Sequence, residues 1–180
     1  RRNKYLGIDR HPVFDVRDVD YGVLISARRN GEEDSYYWRI TQCLMPFYQM
    51  IPPVVPEDDT SKASYTGHAW VPIDDENTWT WTFSANPHRD FTPKEAEVSG
   101  GAGGMWGPID ENYRPVQNRD NNYMLDRAAQ KNDTFTGISG IPNQDAAVQE
   151  SMGPIVDRNR EYLGQSDSAI IAWRRRIIEM

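Results

Sequence analysis

The sequence predicts an α+β fold, an antiparallel sheet with helices on one face. Three observations carry that expectation. The first half of the chain is a series of short runs rich in β-branched and aromatic residues, alternating in polarity and separated by turn signals. Helical spacing of apolar residues is confined to the part of the chain after Tyr123. Between the two, from Asn86 onward, lies a stretch without regular period that includes a glycine-rich run.

Phe14 to Arg28 alternates, with Phe14, Val16 and Asp18 against Asp15, Arg17 and Val19, then continues more uniformly, and reads as one or two strands. Asn30-Gly31, extended by Glu32, Glu33 and Asp34, is a turn signal. The next strand runs from Tyr36 to Ile51. It sets Tyr36, Trp38, Ile40, Gln42 and Leu44 on one face and Tyr37, Arg39, Thr41, Cys43 and Met45 on the other. Residues 14–51 are therefore expected to form one hairpin, ended by Pro52, Pro53 and Pro56 and followed by a polar loop over 57–64.

Tyr65 to Ile73 and Thr78 to Ala85 predict a second hairpin, joined by the turn chemistry of Asp74-Asp75-Glu76-Asn77. In its second strand Trp79, Trp81 and Phe83 share the face expected to be buried, and threonines and Ser84 share the other. Thr92-Pro93-Lys94-Glu95 can start a short helix, and the Ser99–Gly104 run is expected to be a mobile loop bordering a pocket. A helix is expected from about Tyr123 to Gln130. A last helix, capped by Ser166 or Asp167, places Ile170, Trp173 and Ile177 on one stripe with Ile171 and Ile178 beside it, while Arg174, Arg175 and Arg176 point outward.

The most informative stretch is Gly140 to Arg158. Gly140 and Pro142 open a short helix and Gly153-Pro154 close it. Asp145, Val148, Gln149 and Met152 then fall at i, i+3, i+4 and i+7, a stripe expected to face inward. A carboxylate turned toward a core needs a cation, a metal or several donors. Asp145 is thus either a helix-terminus or ion-pair acid, or a ligand.

Composition narrows the classes. A chain of 180 residues is long enough for one domain with a real core. A net charge of -7 argues against a nucleic-acid surface, and no apolar run approaches the ~20 residues of a membrane span. One cysteine, Cys43, excludes an internal disulfide or a cysteine-rich cluster and fits a reducing, cytoplasmic compartment. The chain opens on Arg1 without an initiator methionine and ends in a pattern that is still helical, so a fragment cut at both ends is expected.

The run IPNQDAAVQESMGPIVDRNREYLGQSD, followed by SAIIAWRRRII, resembles the carboxyl-terminal part of Rieske-type aromatic ring-hydroxylating oxygenase large subunits, of the phthalate 4,5-dioxygenase and dehydrodivanillate O-demethylase type. HAWVPIDDENTWTWTFSANP and NRDNNYMLDRAAQKNDTFTGISG are similar to the same family. The resemblance implies a helix-grip-like catalytic domain, a curved antiparallel sheet around a helix. It implies that residues 1–180 are part of that domain, without the N-terminal Rieske domain and the helix bearing two iron histidines. Asp145 would complete a two-histidine, one-carboxylate site for mononuclear Fe(II). Also implied are a 2Fe-2S cluster in the absent domain, NAD(P)H as electron source through a separate reductase, an aromatic substrate and O2, and a homo-oligomer, a trimer in this family. The reaction would be ring hydroxylation or oxidative O-demethylation.

Asn143, Gln144 and Gln149 are candidates to orient the Asp145 carboxylate by hydrogen bonds, although a solvated helix amide suits Gln144 better. Arg39, mid-strand between Trp38 and Ile40, must find a carboxylate, either an internal partner or that of a carboxylated aromatic substrate. His11, His68 and His88 are scattered singly; His68 reads as a hydrogen-bonded strand residue and His88 as a turn residue. Cys43 reads as packing, and the arginine run at 174–176 as a solvated helix face. Two other functions compete with the oxygenase: a metal-free helix-grip module that binds a small molecule, with Asp145 structural, and a carbohydrate-binding sheet carried by Trp70, Trp79 and Trp81.

Overall fold

The computed structural model describes residues 4–53, 63–99 and 107–180. Six antiparallel strands form one sheet in chain order: β1 (Val13–Val19), β2 (Gly22–Asn30), β3 (Tyr36–Leu44), β4 (Tyr48–Ile51), β5 (Tyr65–Pro72) and β6 (Thr78–Ala85). The helices are α1 (Tyr5–Ile8), α2 (Pro93–Ser99), α3 (Arg127–Asn132), α4 (Ile141–Glu150) and α5 (Ser168–Ile178). This is the expected α+β plan. The described residues form two compact units, one holding α1, the six strands and α5, the other holding Asp90–Asp157 with α2, α3 and α4.

The hairpin expected over 14–51 is four strands. The chain reverses at Asp20-Tyr21, where Gly22 lies so close to β3 that a Cβ would stand 2.1 Å from the Cys43 carbonyl oxygen. It reverses again at Met45-Pro46-Phe47, because a proline without an N–H cannot extend the ladder through β3. The 65–85 hairpin forms in the expected register, with Ala69 opposite Trp81 and Gly67 opposite Phe83. There the side-chain-free Gly67 admits the Phe83 ring, whose Cζ would lie 2.3 Å from any Cβ.

Register and burial separate the two faces of the sheet. One carries Val16, Val23, Ile25 and Cys43, and α5 closes it with Ala172 and Trp173; Val23 is wholly buried. On α5 the buried residues are Ala169 and Ala172, while Ile170, Ile171 and Ile177 are exposed. Two alanines let the helix axis approach the sheet, so small size rather than hydrophobicity chooses the contact stripe.

The opposite face carries Trp38, Ile40, Tyr48, Tyr65, Trp81 and Phe83, between 37% and 56% exposed. The expectation that the tryptophan face of β6 is core is therefore wrong. Trp79 and Trp81 stack with centroids 5.7 Å apart on the side away from α5, and Trp70 points to the other face beside His68.

In the second unit Thr92 and Glu95 make the capping exchange that starts α2, the Thr92 hydroxyl accepting from the Glu95 N–H while the Glu95 carboxylate accepts from the Thr92 N–H at 2.9 Å. Most of the Ser99–Gly104 run lies outside the described residues, as does most of the polar stretch at 57–64. The helix expected over 123–130 begins later, as α3, because the Asp126 carboxylate caps Ala128 and Ala129 at 2.8 and 2.9 Å. The residues before it form a 3-10 segment, Arg119–Met124, that turns left-handed at its end.

Candidate functional site

The helix α4 starts and stops where its sequence directs. Gly140 caps it at φ +84, Pro142 occupies the second helical position, and Gly153 at φ +92 follows its end. Its orientation overturns the expectation of an inward stripe. Asp145, Val148, Gln149 and Met152 are all exposed, Val148 at 66% and Met152 at 53%. The covered stripe is Asn143, Ala146 and Ala147, with Asn143 only 4% exposed. Asp145 therefore stands on the open front of a helix held from behind.

The holding groups are polar. The Asn143 amide donates to Gln117 Oε1 at 2.6 Å and to the Ser139 carbonyl at 2.9 Å. Gln117 in turn donates through Nε2 to the Tyr123 carbonyl at 3.1 Å. At the other end of the helix the Tyr123 hydroxyl donates to the Glu150 carboxylate. Between them, Gln144 donates to the Ile138 carbonyl at 3.0 Å, so it is a strut rather than a solvated amide.

Tyr123 reaches both partners from an unusual backbone. Asn122, Tyr123 and Met124 have φ of +51, +56 and +52, a left-handed run that costs L-residues about 1–2 kcal/mol each. The Asn118 carbonyl accepts from the Tyr123 N–H at 2.8 Å, the Asn118 side chain accepts from the Asp120 N–H at 3.0 Å, and the Asn121 side chain accepts from the Asn118 N–H at 3.1 Å. The Tyr123 ring is buried. Burial first, and then the bond to Glu150, push its hydroxyl up to about 12, so it keeps its proton and donates.

The sequence-derived candidates are distributed as follows. Asn143 is committed to Gln117 and Ser139, about 200° round the helix from Asp145, whereas Gln149 shares the Asp145 stripe one turn along. Arg39 lies half-buried in β3 on the α5 side. Its Nη2 donates to the Pro52 carbonyl at 3.4 Å, and its buried Nη1 has no hydrogen-bond partner among the described residues. Arg29 is similar, with Nε on the Asp9 carbonyl at 3.1 Å and a buried Nη1 that has no hydrogen-bond partner among the described residues. The Asp9 carboxylate lies close enough to feel the Arg29 charge, whereas no carboxylate among the described residues forms an ion pair with Arg39.

His68 is a strand residue with Nδ1 3.2 Å from Thr82 Oγ1, and burial holds its pKa low. His88 is an exposed turn residue whose N–H donates to the Asn86 side chain. Burial pushes the Cys43 thiol up to about 11, consistent with packing rather than nucleophilic use. The arginine run is a solvated face only at Arg175, which is exposed. Arg174 forks the Glu161 carboxylate, Nη2 lying 2.8 Å from Oε1, while the Nε of Arg176 is buried.

Among the described residues no three His, Cys, Asp or Glu side chains converge as a metal site would require. Asp145 presents an exposed hard oxygen, the donor type that iron held by two imidazoles and a carboxylate would require. Sequence reading missed Tyr123 and Gln117. The signal for them is the Asn118, Asn121 and Asn122 cluster, since asparagines at this density mark side-chain-capped, left-handed backbone.

Residues 5–180 match the family described as LigXa C-terminal domain like. The chain is 36% identical over 175 residues to the phthalate 4,5-dioxygenase oxygenase subunit of Pseudomonas putida, covering 95% of this chain and 38% of that protein. It is 33% identical over 180 residues to the 3-chlorobenzoate-3,4-dioxygenase oxygenase subunit of Comamonas testosteroni, covering 93% of this chain and 40% of that one. It thus spans about two-fifths of the length of these relatives. A match over nearly every residue, on a chain with the expected α+β plan, places this protein in the LigXa C-terminal-domain-like family.

Proposed function

We propose that this chain is the carboxyl-terminal catalytic part of a Rieske-type oxygenase subunit that hydroxylates or oxidatively demethylates a carboxylated aromatic compound. The observation that carries this reading is Asp145 itself, an exposed carboxylate on the front of a helix pinned along its back, in a chain matched throughout to oxygenase subunits. Asp145 would hold mononuclear Fe(II) together with two imidazoles from the rest of the subunit. When bound, the iron supplies dioxygen activation, with electrons drawn from NAD(P)H through a separate reductase and a 2Fe-2S cluster. Val148 and Met152, exposed beside Asp145, would then line the space around it and exclude water. A cytoplasmic homo-oligomer, a trimer as in the family this chain resembles, completes the proposal. Among the described residues no helix is long and apolar enough to cross a membrane.

The test is Asp145→Ala in the full oxygenase subunit. Mononuclear iron and turnover should be lost while the Rieske cluster keeps its visible absorbance; retained iron and oxygenation would remove Asp145 from the site.

The substrate class rests on Arg39. Phthalate and 3-chlorobenzoate, named for the two relatives, are both aromatic carboxylates, and Arg39 has a buried Nη1 free of any partner among the described residues. A bidentate contact to such a carboxylate would contribute on the order of 1.5–3 kcal/mol. Arg39→Gln should therefore raise KM for a carboxylated substrate about tenfold or more, and change it little for an uncharged analogue. Equal weakening of both, with a lower Tm, would make Arg39 an internal structural residue.

A further inference from the structure

We infer that Tyr123 and Gln117 are positioning residues that set the rotation of α4 and so aim the Asp145 carboxylate. The inference rests on the reading of Asp145 as the iron ligand and adds what determines its direction.

The argument is geometric. Asn143 and Glu150 are seven residues apart, two helical turns, and so lie on one stripe separated by about 10 Å along the axis. Tyr123 is tied to both: its carbonyl reaches Asn143 through Gln117, and its hydroxyl reaches Glu150 directly. Two attachments on one stripe fix both the tilt and the rotation of a helix, which a single attachment cannot do. Between them the half-buried residues on that side of α4 are Ala146 and Ala147, whose methyl groups offer little resistance to rolling, while the buried Pro142 and the Gln144 bond to Ile138 act at its first turn. Apolar packing is therefore too sparse to choose the angle, and the hydrogen bonds choose it.

Asp145 projects from the opposite side, about 200° from Asn143. A carboxylate there stands roughly 5–6 Å from the helix axis, so rolling the helix by about 10° carries it about 1 Å. A displacement of that size is enough to spoil a ligand or a reacting geometry. The left-handed backbone of Asn122, Tyr123 and Met124 fits the same account. It turns the Tyr123 carbonyl and hydroxyl toward the two ends of α4 at once, and the neighbouring asparagine caps hold it there. Gln117 uses both ends of its amide, donor to Tyr123 and acceptor from Asn143, so leucine at that position would cut the chain of bonds without loss of bulk.

The experiment uses Tyr123→Phe, Gln117→Leu and Glu150→Gln in the full subunit, with Asp145→Ala beside them. Tyr123→Phe keeps the buried ring and loses only the hydroxyl. Glu150→Gln keeps an acceptor for it. The readouts are the rate of ferrous iron release to a chelator, Tm, and amide exchange along α4. Tyr123→Phe and Gln117→Leu should release iron about tenfold faster and exchange faster in α4, with Rieske absorbance close to wild type and a fall in Tm too small to account for the faster release, while Glu150→Gln stays near wild type. If both variants release iron at the wild-type rate although Asp145→Ala has lost it, the positioning role is wrong and the ligand assignment stands. If Asp145→Ala itself retains iron, the ligand assignment fails and the positioning inference falls with it. Iron release that rises only in proportion to a fall in Tm would make Tyr123 a structural residue and would also overturn the inference.

Discussion

The sheet and the segment from Gly107 to Met152 hold their shapes by different means. In the sheet, six strands share a continuous antiparallel ladder, and a small apolar cluster of Val23, Cys43 and Ala172 joins it to α5. In the segment the organising contacts are side chains bonded to backbone: Asn118 to the Asp120 N–H and Asn121 to the Asn118 N–H, Asp126 to the start of α3, Thr134 to Gly137, and Gln144 and Asn143 to the loop before α4. The difference matters because the two kinds of contact fail differently. Apolar burial declines in proportion to the area lost. A directional network fails one bond at a time, and each buried group left unpaired costs about 1–3 kcal/mol.

A pair of small substitutions tests that contrast. Gly137 sits at φ +70, and a Cβ there would lie 2.4 Å from the Asp126 carbonyl oxygen and 2.9 Å from a Leu125 methyl. Gly137→Ala should cost about 3 kcal/mol, combining left-handed strain with displacement of backbone that is tied at Asp126 and Thr134. Val23→Ala removes two methyl groups from the largest fully buried side chain among the described residues and should cost about 2 kcal/mol. Amide exchange separates them: Gly137→Ala should unprotect α3 and α4, and Val23→Ala should unprotect β1 to β3. A larger effect from Val23→Ala would mean that the polar segment is softer than its bonding implies.

The same contrast decides what could be read in advance. The β5–β6 hairpin was legible because alternation over eight residues on each side of an acidic turn admits one register. The bounds of α4 were legible from Gly140, Pro142 and Gly153. Its facing was not. A helical wheel ranks Asp145, Val148, Gln149 and Met152 as more apolar than Asn143, Ala146, Ala147 and Glu150, yet the second stripe is the one held against the molecule, by two hydrogen-bonded ends and two alanines. α5 repeats the lesson with Ala169 and Ala172 in place of its isoleucines. Periodicity finds an element, and the polar partner or the small residue that selects its face lies elsewhere in the chain. Asp145 could be singled out only because neighbouring residues resembled a known motif, since on the wheel it is one helix acid among several.

The smallest expected effect lies at the surface of the sheet unit. Glu161 is held at about 2, against an ordinary 4.5, first by its hydrogen bond from Arg174 and then by the nearby positive charges of Arg174 and Arg158. A carboxylate with a lowered folded-state pKa binds fewer protons when folded, so its contribution is complete above 4.5 and disappears as the pH falls toward 2. The pair is partly exposed, at 34% and 26% for the two side chains, so solvent and salt keep that contribution modest. In Glu161→Gln the group no longer titrates. Thermal denaturation should therefore show a wild-type advantage at pH 6 that narrows steadily below pH 4.5 and is gone near pH 2, and added salt at pH 6 should shrink it. An advantage that persists unchanged at pH 2 would mean that Glu161 holds α5 by shape rather than by charge, and would move this contact to the same side of the comparison as Val23.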